Sequence, residues 1–90
     1  LEVYLTKQEL KQILVWAENA IEGGHFGDGN IVLPEEEITL KKIKNHEDGN
    51  ISLGIYDIKI IKYWAESILG SSLKGMISEE ISVLEKLKLA

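Results

Sequence analysis

The tripeptide Trp16-Ala17-Glu18 returns as Trp64-Ala65-Glu66, and the echo runs well beyond it. Aligned on the two tryptophans, Leu5 meets Leu53, Lys11 meets Lys59, Ile13 meets Ile61, and Asn19-Ala20-Ile21 meets Ser67-Ile68-Leu69. Both copies carry apolar residues at three- and four-residue spacings, the signature of a helix with one buried face. The chain therefore reads as an internal duplication built on two Trp-bearing helices. In a single domain of 90 residues, repeat 1 runs from about 5 to 45 and repeat 2 from about 52 to 89.

Thr6 followed by Glu9 fits a capping box, so the first helix is placed to begin there. Leu10, Ile13, Leu14, Ala17, Ala20 and Ile21 form its apolar stripe, with Trp16 on the margin, and Gly23-Gly24 ends it. Pro34 suits the first position of a second helix, with Glu35, Glu36 and Glu37 in a solvated first turn and Lys41, Lys42 and Lys44 near the other end. Its inward face is thin, chiefly Ile38 and Ile43 with Leu40 to one side. Asn45 to Asn50 is rich in turn formers and divides the copies. Ser52 or Gly54 caps the Tyr56–Leu69 helix, which is apolar around much of its circumference, and Gly70 with Ser71-Ser72 stops it. Ser78, Glu79 and Glu80 start a last helix with Ile81, Leu84 and Leu87 as a stripe reaching back to Ile77. The fold class is all-α, about four helices as two tandem helix–loop–helix units. Asp28-Gly29-Asn30-Ile31 recurs as Asp48-Gly49-Asn50-Ile51, which leaves room for a minimal strand pairing between loops.

This doublet is similar in layout to an EF-hand pair. With Gly24 as the first loop position, Asp28, Gly29, Ile31 and Glu35 fall where that motif has a ligand, a turn glycine, an apolar residue and a closing carboxylate. The ligand chemistry is missing. Gly24 and Phe26 offer no side-chain oxygen, and the second loop has Gly70, Ser72, Lys74 and Ile81 at the corresponding places. Calcium needs six to eight oxygens, so no metal site is expected. His25 with Asp28, or His46 with Glu47 and Asp48, supplies too few ligands on a rigid element for a metal or catalytic centre. The glycines of Gly23–Gly29 follow a helix C-terminus rather than precede an N-terminus, which disfavours a phosphate cradle.

Composition narrows the function classes further. All ten basic residues are lysine and the net charge is −5, so a nucleic-acid or anionic-membrane partner is not expected. There is no cysteine and no apolar run near the length of a membrane span, and the chain is read as a soluble cytoplasmic protein. No catalytic set and no cofactor motif emerges. The leading expectation is a non-enzymatic protein-interaction or regulatory module, binding a protein partner or its own copy. Its candidate surface is Tyr56, Tyr63, Trp64, Trp16 and Phe26, since interfaces enrich aromatic residues. The alternative is a small-ligand or metal-binding domain using the Gly23–Gly29 loop with His25 and Asp28. A second alternative is an acidic mimic of nucleic acid that inhibits a DNA-binding protein.

Overall fold

The computed structural model describes residues 1–22, 34–47 and 49–89. Its elements run β1 (Glu2–Leu5), α1 (Lys7–Glu22), α2 (Pro34–Lys44), β2 (Gly49–Ser52), α3 (Ile55–Leu69) and α4 (Ser78–Lys86). The described residues are mostly helical, forming four helices and a small two-stranded antiparallel sheet. Strand β2 contains Gly49, Asn50 and Ile51 of the second Asp-Gly-Asn-Ile segment, but its partner is β1, in a register that sets Val3 opposite Ile51. The first such segment, 28–31, lies outside the described residues. Strand alternation sets the faces: Leu5, Ile51 and Leu53 drop into the core while Tyr4 and Ser52 stay outside.

Helices α1 and α3 make the largest interhelical contact of the molecule. Ala17, Ala20 and Ala65 are buried, and side chains this small let the two helices approach closely. At the rim of this contact the Asn19 amide donates to the Ser67 carbonyl (3.3 Å) and hydroxyl (3.2 Å). Helix α4 packs on α1, and α2 packs on both α3 and α1. The central pair is thus covered on a second side, which widens its buried face. Trp16, placed by its spacing on the margin of a stripe, is in fact wholly enclosed. It lies seven residues after Glu9, on the face of α1 that meets α4.

The outer helices depart from their expected faces. In α2 the residues turned inward are Glu36, Thr39 and Ile43, whereas Ile38 is exposed. Glu36 therefore does not belong to a solvated run. In α4 the buried set is Glu80, Val83 and Leu84 followed by Leu87, and Ile77 and Ile81 are largely outside. Each outer helix turns a glutamate from its first turn inward, Glu36 in α2 and Glu80 in α4, in place of the exposed isoleucines.

Candidate functional site

Two buried carboxylates occupy corresponding places at the starts of α1 and α3. Glu9 accepts from the Thr6 N–H (2.8 Å), and the Thr6 hydroxyl oxygen accepts from the Glu9 N–H (3.2 Å), completing the capping box. The same carboxylate accepts from the Lys86 ammonium (2.7 Å) and from the Ser82 hydroxyl, both on α4. Lys86 also donates to the Tyr4 carbonyl (2.9 Å) and stands 5.5 Å from the centre of the Tyr4 ring. Asp57 repeats the plan. It accepts from the Gly54 N–H (2.9 Å), the Thr39 hydroxyl (2.7 Å) and the Lys42 ammonium (2.6 Å), the last two from α2.

Burial pushes both carboxyls up. The lysine, hydroxyl and backbone hydrogen bonds, with the ammonium charge, outweigh it and hold each below its ordinary value. A hydroxyl, an ammonium and a carboxylate in one cluster have the makings of nucleophilic chemistry. Here the hydroxyl donates to the carboxylate and the lysine is engaged by it as well, so neither cluster presents an unengaged base. What the arrangement does is pin an outer helix to the N-terminus of an inner one.

A third buried acid, Glu80, works on α4 itself. One oxygen accepts from the Met76 N–H (2.9 Å) and the Ile77 N–H (3.3 Å), and the other accepts from the indole N–H of Trp16 (3.3 Å). Glu36 lies within electrostatic reach of Tyr63, whose phenol is raised by burial and then by that negative charge. With Glu36 inside, the acidic run of the first turn of α2 is interrupted at its middle.

The aromatic residues expected at a partner surface differ in their exposure. Tyr56 is 74% exposed and Tyr63 42%, and both lie on the outer face of α3 one heptad apart. Trp16 and Trp64 have no exposed surface, so neither indole belongs to any surface of the folded chain. Each sits seven residues after a buried carboxylate, on the side an outer helix covers. Phe26, His25 and Asp28 lie outside the described residues. The spacing gave no hint that Ile38 (64% exposed) and Ile55 (70%) join the tyrosines outside. Ile38 and Tyr56 line one shallow groove of about 290 Å³ over Thr39, Lys42 and Asp57.

Among the described residues, no three His, Asp or Glu side chains gather as a metal site would require, and no helix is long and apolar enough to cross a membrane. Comparison of the chain with protein-family models, curated proteins and solved structures finds no match.

Proposed function

We propose that this chain is a non-enzymatic protein-interaction or regulatory module that engages its own copy or a protein partner through the outer face of α3 and the adjoining edge of α2. The observation that carries the reading is the exposure of Ile38 and Tyr56 on a groove whose polar floor is already neutralised by the Asp57–Lys42 pair, with Ile55 and Tyr63 also exposed on α3. Apolar side chains around a satisfied polar centre suit a protein surface, because docking there buries no unpaired charge. Light scattering over a wide concentration range, with pull-down from a lysate, tests it. The expected result is self-association or a recovered protein, lost in Ile38→Ser/Tyr56→Ser while the melting temperature is retained. A strict monomer that recovers no protein would overturn it.

The same reading includes a duplicated origin for the two halves. Support comes from the ladder, where Val3 and Ile51, equivalent under the tryptophan alignment, face each other at its centre. Glu9 and Asp57 are likewise equivalent, and each anchors a lysine from an outer helix. A cytoplasmic setting is proposed from the absence of cysteine alone.

A further inference from the structure

Lys7 and Lys11 on α1 and Lys44 at the end of α2 line one groove of about 340 Å³ whose floor is Leu10, Leu14 and Ile43. It is separate from the α3 face. All three lysines are exposed, and none is in an ion pair or side-chain hydrogen bond among the described residues, whereas Lys41, Lys42 and Lys86 are paired. Among the described residues Glu47 is the one carboxylate lining the groove, so three lysines less one glutamate leave these residues two positive units in a chain of net −5. His46, also on the lining, has its Nε2 shielded from solvent with no hydrogen-bond partner.

We infer that this groove binds a small organic anion with an apolar body. Its head lies among Lys7, Lys11 and Lys44, and its body covers Leu10 and Leu14. The sign follows from three unpaired ammonium side chains lining one groove, where charge-assisted hydrogen bonds favour a carboxylate or a phosphate monoester. The apolar body follows from the leucine floor. The size follows from the volume, which is near the lower end of the roughly 300–1,000 Å³ of small-molecule sites and too small for a docked helix.

Amide NMR titration of the full chain tests the inference with octanoate, octyl phosphate, inorganic phosphate and octylamine. Saturable shifts at Lys7, Lys11, Leu14, Lys44 and His46 are expected with octanoate or octyl phosphate, and the tighter of the two identifies the head group. Inorganic phosphate is expected to bind at least tenfold more weakly, since it lacks the body. Lys7→Glu/Lys11→Glu is expected to weaken binding at least tenfold with the melting temperature unchanged, because both lie near the N-terminal end of α1, where the helix dipole tolerates carboxylates, and neither is in an ion pair among the described residues. Equal shifts with octylamine, affinity that survives the charge reversal, or no groove shifts with either anion at millimolar concentration would each overturn it.

Discussion

Glu9 and Asp57 combine two jobs that are usually separate, closing a helix N-terminus and receiving an ammonium from another helix. Each is nearly buried, so its neutral isostere leaves several donors facing a weaker acceptor. Glu9→Gln and Asp57→Asn are each expected to cost about 1–3 kcal/mol at neutral pH, read from urea unfolding. Both carboxyls lie below their ordinary values in the folded chain. The stability they contribute is therefore complete above the unfolded carboxylate range near pH 4, and is lost as pH falls through the folded values. In the double variant, the fall in melting temperature on acidification below about pH 4 is expected to flatten. The tryptophans separate in a different way. The Trp16 indole donates to Glu80, whereas the Trp64 indole nitrogen is buried without a hydrogen-bond partner among the described residues. Trp16→Phe strands a buried carboxylate oxygen as well as opening a cavity, and is expected to destabilise by about 1–3 kcal/mol more than Trp64→Phe.

At the level of elements, the link between α3 and α4 is the tightest piece of geometry. Gly70 ends α3 at φ 75°, and Leu73 turns back into the core at φ 51°, a left-handed conformation uncommon for leucine. Gly75 then passes so close to α4 that a Cβ there would meet the Ile81 backbone nitrogen and side chain at 2.9 Å. Gly75→Ala is expected to lower stability by about 1–3 kcal/mol in thermal or urea melts, because the helix start, not a mobile side-chain end, would have to move. The helices themselves were legible. Thr6 with Glu9 marked the start of α1, Pro34 began α2 and Gly70 ended α3, since these signals act within one turn. The inward faces of α2 and α4 were not. Periodicity assigns apolar residues to the core, and it had no means of recognising Glu36 and Glu80 as inward-facing or Ile38 and Ile81 as outward-facing. The partners of Glu9 lie 73 and 77 positions away, and no local signal in Ser82 or Lys86 announces them. The lysine groove was hidden for the same reason, because Lys7 and Lys44 are brought together only by packing.

Across the whole molecule, each outer helix reaches into the other half. Helix α4 follows α3 but packs on α1, while α3 takes α2 from the other half, and the ribbon joins β1 to β2. Neither half contains the partners its polar anchors need. Peptides 1–47 and 49–89 are each expected to be largely unfolded by circular dichroism and to regain helix when mixed in equal amounts. A stable helical fold in either peptide alone would refute that interdependence.

The Lys86–Glu9 contact spans nearly the whole described chain, and it sets a clock. Small helical proteins usually fold fast because their contacts are local, whereas here the pin that secures α1 must wait for the far end of the chain to return. Docking of α4 is then the late step of folding, and Lys86→Met is expected to speed unfolding in stopped-flow measurements while leaving the refolding rate nearly unchanged.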